Sequence, residues 1–273
     1  MGVCTAILKN VIMVLLSDWL PSLPHVMFRN KAPGQDWNLP YFHSSGISHM
    51  GIFVNSQQDT IALAFRGTEG AWDWANNFLA SSASCKYVIT GGCNSGAVHQ
   101  GFLKVLNLLR STYHAALQQL ITGATTTVKN IYVVGHSKGG ALATLASLDL
   151  ARKFPSYTST ICTIPFGSPK VGNRAFVDVF NQAIGGRSTR YVTTSLVTSD
   201  DAITNVPLSG YRHVEGRKYL ACPFYSEKRT SLVCHLISQY AKALMIDGQA
   251  GQTNPPSYDM LTGSLCTTWL AGF

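Results

Sequence analysis

What this chain lacks narrows its chemistry first. Charged residues make up only 12% of its 273 residues, too few for a solvated, disordered chain. No Gly-x4-Gly-Lys-Ser/Thr run occurs, which excludes a phosphate-binding loop of that type. There is no Cys-x-x-Cys pair among the seven cysteines at 4, 85, 93, 162, 222, 234 and 266, and hence no zinc-ribbon or thioredoxin-like motif. No Asn-x-Ser/Thr acceptor occurs either, so glycosylation gives no sign of secretion. Acidic residues are scarce as well: 13 against 21 basic ones, a formal charge of +8. That surplus favours an anionic partner such as a lipid surface. Nucleic acid is the weaker choice, because the basic residues are spread along the sequence and no aromatic RNA-binding signature accompanies them.

What is present is apolar material: 46% hydrophobic residues, enough for a sizeable core. The amino-terminal run "KNVIMVLLSDWLPSLP" is too short to span a bilayer. It has no clear small-x-small cleavage site. "MGVCTA" falls one position short of a myristoylation signal. Residues 1–46 are expected to form a first helix, packed on the domain or else a membrane-contacting or cleaved segment, followed by a loop-dominated entry. The chain is expected to be secreted or to work at a membrane surface. An odd cysteine count leaves at least one thiol unpaired in the monomer, while Cys85 and Cys93 flank a glycine-rich turn and are either bridged, which implies an oxidising compartment, or reduced and buried.

From residue 47 onward the pattern alternates. "ISHMGIFVN" and "TIALAFRGT", separated by a polar turn, predict an antiparallel hairpin. Residues 98–121 keep Phe102, Val105, Leu109 and Tyr113 at helical spacing. "IYVV" and "TICTIPF" suit buried parallel strands, and the stretch between them is the crossover helix such a pair needs. The alternation continues through "NRAFVDVFNQAI", "TRYVTTSLV" and "HLISQYAKALMI". The expected fold is α/β, one mostly parallel sheet with helices on both faces over residues 47–250. Residues 251–273 are expected to pack on it as a tail.

The most informative stretch is "NIYVVGHSKGGALATLASL". Gly135-His136-Ser137-Lys138-Gly139 is a Gly-x-Ser-x-Gly pattern. Three fixed residues in five arise by chance in roughly one chain in ten of this length, so the context has to decide. Here a β-branched run enters the serine and a small-residue helical pattern leaves it. A sharp strand-to-helix turn demands small residues two before and two after the serine. It also puts the hydroxyl at a helix amino terminus, where backbone N–H groups stabilise negative charge. A serine becomes a nucleophile only when a base takes its proton, so an aspartate and a histidine should follow. Both types are present downstream.

Five segments carry a resemblance. "LAFRGTEGAWDWANN", "VHQGFL", "VVGHSKGGALA", "PFGSPKVGNRAF" and "TSDDAITNVPLSGYRHV" occur in the order of motifs of the class 3 (fungal-type) lipase family of α/β-hydrolases, and the chain resembles a member. The resemblance implies the α/β-hydrolase fold and hydrolysis of acylglycerols or related lipid esters without a cofactor or metal. It places the nucleophile at Ser137 and the acid at Asp201, six residues before Pro207, with the adjacent Asp200 as second choice. It places the base at His235, with Tyr240 following at a spacing seen in part of the family. His213 also satisfies the chain order. The oxyanion hole is expected from the backbone N–H groups of Thr68 and Lys138, with Gly67 letting the backbone approach the substrate. Where most members carry leucine after the nucleophile this chain has Lys138, whose ammonium is expected to reach solvent, the alternative being a cation beside the acyl site that favours anionic lipids or fatty acid carboxylates. "EGAWDWANNFLASSAS" corresponds either to a mobile lid or to a short fixed helix. A lipase-like binding or signalling protein, or an acyltransferase on the same site, remain as alternatives.

Overall fold

The structure, a computed structural model, describes residues 37–45, 48–67, 82–84, 96–195, 199–207, 209–222 and 233–249. Its main sheet is built from β1 (Trp37–Ser45), β2 (Ser48–Asn55), β3 (Thr60–Phe65), β6 (Asn130–His136), β7 (Ile161–Phe166), β8 (Arg190–Ser195) and β10 (Arg217–Ala221) in that spatial order, with β9 (Ser199–Asp200) beside β8. A separate two-stranded ladder joins β4 (Ser82–Ser84) to β5 (Ala97–His99) antiparallel. The predicted hairpin is β2–β3, antiparallel. From β3 through β6, β7 and β8 to β10 every neighbouring pair is parallel.

Residues 37–45 depart from the expected loop. They form β1, antiparallel to β2 at the edge of the sheet, with a register shift between Asn38 and Tyr41. Pro40 sits in that irregular stretch. A proline cannot donate to a ladder and is tolerated at an edge or a bulge, which is where this one falls.

Alternation along the strands divides the core into two layers. Ile61, Leu63 and Phe65 of β3 and Ile131 and Val133 of β6 face one layer. It is filled from α1 (Gln100–Gly123), α2 (Lys138–Lys153) and α3 (Arg174–Ala183) by residues such as Phe102, Leu106, Leu145 and Phe176. Ala62, Ala64, Tyr132 and Val134 face the other layer, covered by α4 (Ile237–Gln249). The α4 sequence places Ile237, Tyr240, Ala241 and Leu244 on one stripe at helical spacing, and all four are buried.

One charged cluster ties two of these helices together. Asp149 is fully buried in α2, and its Oδ2 accepts the Tyr113 hydroxyl at 2.5 Å and lies 2.7 Å from His114 Nε2 and 3.4 Å from Arg110 Nε, all on α1. Such a carboxylate is tolerable in the interior only because it is paired and hydrogen-bonded. Its charge and burial together push the Tyr113 phenol well above its usual pKa, burial being the larger cause.

Candidate active site

β6 ends and α2 begins on either side of Ser137, which has φ 56° and ψ −124°. A β-carbon in that left-handed region is strained, and such strain persists only where the surroundings enforce it. Enforcement comes from both flanks: the Ser137 N–H donates to the Phe166 carbonyl at 2.9 Å, and its own carbonyl accepts the Gly140 N–H at 3.0 Å. The flanking glycines are sterically required. A β-carbon on Gly135 would lie 2.2 Å from the Gly139 carbonyl group, and one on Gly139 would lie 2.2 Å from the Phe65 carbonyl oxygen. The pattern therefore lets β3, β6 and α2 approach to backbone contact around the serine.

His235 and Asp201, 34 residues apart in sequence, meet behind this turn. His235 Nδ1 lies 2.7 Å from Asp201 Oδ2, with both side chains buried. The same oxygen accepts the Tyr240 hydroxyl at 2.7 Å, and Oδ1 accepts the Ile203 N–H at 2.9 Å. A carboxylate bonded on both oxygens is fixed in place and orients the imidazole with Nδ1–H toward it, leaving the Nε2 lone pair directed away. His235 Nε2 and Ser137 Oγ are both buried, and neither has a hydrogen-bond partner among the described residues. Buried polar atoms without partners are uncommon, and a catalytic role is one of the accepted reasons for them.

Of the paired alternatives, the structure brings one member of each to this place. Asp200 accepts the Tyr219 hydroxyl at 3.1 Å. His213 Nε2 bonds the Thr204 carbonyl at 2.6 Å. Burial, reinforced by Arg190, pushes the His213 imidazole down to about 3, which leaves it neutral and a poor proton acceptor. Lys138 opens α2, where first-turn N–H groups point out of the helix end. Its side chain is only 3% exposed, so the expected solvated ammonium is not found. Thr68, most of the lid segment and the Cys85/Cys93 pair lie outside the described residues. Gly67 is described, and a β-carbon there would meet the His136 carbonyl oxygen at 3.1 Å and Ser137 Cβ at 3.7 Å. Its bareness keeps that approach open.

Three supports escaped the reading of the sequence. His136, the variable position of the pattern, is buried, and its Nε2 donates to the His235 carbonyl at 2.7 Å, with ring centroids 4.7 Å apart. Burial, with the nearby His235, holds its pKa well below the usual value, so the ring is neutral. Gly167, with φ 53°, leaves the space in which Asp201 and His235 meet: a β-carbon there would lie 2.8 Å from Asp201 Oδ2 and 3.0 Å from His235 Nδ1. Finally, Cys222 and Cys234 form a disulfide, and the Cys234 carbonyl accepts the Thr193 hydroxyl at 2.7 Å. Both restraints act on the residue before His235. Cys162, on β7, is half-buried and takes no part in that disulfide.

A serine on a left-handed turn at the carboxyl end of a parallel strand is how α/β-hydrolases present a nucleophile, and the sheet order and helix layers place the chain in that class. Within it, the family model "Lipase (class 3)" matches residues 62–211, more than half of the sequence, and the chain belongs to that family. It is 31% identical over 156 residues to phospholipase A(1) DAD1, chloroplastic, of Arabidopsis thaliana, covering 54% of this chain and 33% of that one. It is 31% identical over 174 residues to secreted mono- and diacylglycerol lipase 1 of Fusarium solani, covering 62% and 46% respectively. The chain thus spans about a third to a half of the length of these relatives. Among solved structures, lipase II from Rhizopus niveus superposes with a TM-score of 0.66 at 23% identity, over 80% of this chain and 81% of that one. The Rhizomucor miehei lipase propeptide complex does so at 0.68 and 18%, over 90% and 80%. Among the described residues no helix is long and apolar enough to cross a membrane.

Proposed function

We propose that the chain hydrolyses carboxylic esters of lipids, acylglycerols or related glycerolipids, through a covalent acyl-enzyme on Ser137. The observation that carries this reading is the buried Asp201–His235 pair at 2.7 Å beside a serine in a strained, left-handed conformation. His235 Nε2 takes the Ser137 proton as Oγ attacks the ester carbonyl. The resulting oxyanion is stabilised by the backbone N–H groups of Lys138 and Thr68, each such donor being worth about 3 kcal/mol of barrier. His235 then returns the proton to the departing alcohol, and the acyl group stays on Oγ. Water, deprotonated by the same nitrogen, attacks the acyl-enzyme; collapse releases the fatty acid and restores the serine. Asp201 stabilises the imidazolium in both halves without itself taking the proton. Leu236, half exposed beside His235, offers apolar surface for an acyl chain. The relatives named as lipases and as a phospholipase A(1) support a lipid ester as substrate, and the relative named as secreted supports action outside the cell.

The test is hydrolysis of p-nitrophenyl butyrate and palmitate, with and without a lipid interface, by the wild type and by Ser137→Ala and His235→Ala. Each substitution is expected to lower kcat by about a million-fold. Full activity in either variant would remove that residue from the mechanism. A wild type inert on every ester would make the chain a lipase-like binding protein instead.

A further inference from the structure

The positive charge of the chain is not evenly spread over the folded surface. Lys170, Arg174 and Arg212 line one groove of about 890 Å³ together with Asn173, Tyr211 and His213, and no acidic side chain is among the described residues that line it. Its walls are fixed by main-chain bonds. The Arg212 N–H donates to the Gly172 carbonyl at 2.7 Å, Gly172 bridges in turn to Val98, and the Tyr211 ring packs on His99 at 5.9 Å. The Lys170 ammonium donates to the Asn205 and Pro207 carbonyls at 2.8 and 3.2 Å. An ammonium has three N–H groups, so two hold it in place and one remains for a ligand. Arg174 begins α3, whose first turn contains no acidic residue, and the Asn173 side chain caps the Phe176 N–H. The positive end of the helix dipole adds to the side-chain charge there. Asp178 lies 3.8 Å from Arg174, with both side chains mostly exposed, so water screens that pair and it neutralises little.

The groove also stands in a defined relation to the candidate active site. β6 and β7 run parallel, with His136 beside Phe166, so the segment from Gly167 to Lys170 leaves the sheet at the same end as Ser137. Of the two carbonyls that hold Lys170, that of Asn205 ends the turn capped by Asp201, and that of Pro207 lies two residues further on.

We propose that this groove binds the phosphate of an anionic phospholipid in a lipid surface, and so seats the chain with the Ser137 end of the sheet toward the lipid. The proposal rests on the lipid-ester reading above. Two planar guanidinium forks suit the two non-bridging oxygens of a phosphodiester, and the fixed ammonium supplies a point charge between main-chain anchors. Inorganic phosphate offers the same chemistry without a membrane, and the experiment must separate the two.

The test uses the full chain as Ser137→Ala, so that vesicles are not consumed. Binding is read by co-sedimentation with phosphatidylcholine vesicles and with vesicles that also contain phosphatidylglycerol. Binding should depend on phosphatidylglycerol, and Arg174→Gln with Arg212→Gln should weaken it roughly 25-fold, about fivefold for each cation near the surface. Lys104→Gln with Lys153→Gln removes the same net charge from exposed positions elsewhere and should change binding by less than about twofold. An equal loss in both pairs would mean attraction by net charge alone and would overturn the groove. Indifference to phosphatidylglycerol would overturn it too. So would stabilisation of the chain by inorganic phosphate, through the same arginines, without vesicle binding. Should the arginine pair fail to fold, Arg212→Glu alone is read by the same criteria. In the background that retains Ser137, the arginine pair should hydrolyse p-nitrophenyl butyrate at the wild-type rate; a wild type inert on that ester would instead be a failure of the proposed function.

Discussion

Oδ2 of Asp201 lies 2.7 Å from both His235 Nδ1 and the Tyr240 hydroxyl, so one buried oxygen organises two side chains from a single segment of chain. Asp201→Asn keeps the size but reverses the hydrogen-bond demand on the imidazole and favours the wrong tautomer; kcat on p-nitrophenyl butyrate should fall about 10 000-fold. Tyr240→Phe removes one donor and leaves the Thr193 N–H, now 3.1 Å from that hydroxyl, without its acceptor. It should cost about 1–3 kcal/mol of stability in urea unfolding while retaining measurable activity.

His136 offers a second test. His136→Phe preserves a ring but deletes the donor to the His235 carbonyl, leaving a buried acceptor unpaired at a cost of about 1–3 kcal/mol. We expect kcat to drop about tenfold with KM unchanged, because the change reaches the base through its main chain. His136→Gln, which keeps an N–H, should recover part of both losses. Wild-type kcat in the phenylalanine variant would show that the bond does not position His235.

The elbow glycines make a steric prediction. Gly139→Ala places a methyl 2.2 Å from the Phe65 carbonyl oxygen and should destabilise by about 1–3 kcal/mol. Gly123→Ala, with nothing within 4 Å of its new methyl, should be neutral or stabilise by up to about 1 kcal/mol. Chemical denaturation of the two variants side by side measures the contrast.

Acid stability should carry the signature of His213. Its folded pKa is lowered to about 3, whereas an unfolded histidine titrates near 6.5. Between those values the unfolded chain binds a proton that the folded chain refuses, so stability falls with falling pH and is complete only above about 6.5. The slope from this group is about 1.4 kcal/mol per pH unit. His213→Gln keeps a donor for the Thr204 carbonyl and should flatten the urea-unfolding free energy across pH 4–6 by about that slope. An unchanged slope would mean that His213 titrates alike in both states.

The glycine spacing around Ser137 made the elbow legible in the sequence, because sterics at a strand-to-helix turn act on neighbours in the chain. Motif resemblance pointed to Ser137, Asp201 and His235, and the fold brings the last two together. The spacing to Pro207 already favoured Asp201 over Asp200, whereas its bond to His235 and its cap on the turn at Ala202 are visible only in the fold. β1 was hidden by Pro40, a residue that argues against a strand unless the edge position is already known. His136 was hidden because its partner lies 99 residues away, and an imidazole in a variable position of a motif gives no local sign of what it touches. The buried side chain of Lys138 and the pairing of Cys222 with Cys234 are likewise products of long-range packing.

That disulfide has a consequence for how His235 is held. Cys222 follows the last sheet strand, and Cys234 immediately precedes His235. Joining them fixes the approach to His235 by a covalent route. The position of Cys234 is thereby referred to the end of β10, so the sheet itself, and not only α4, carries the residue before His235.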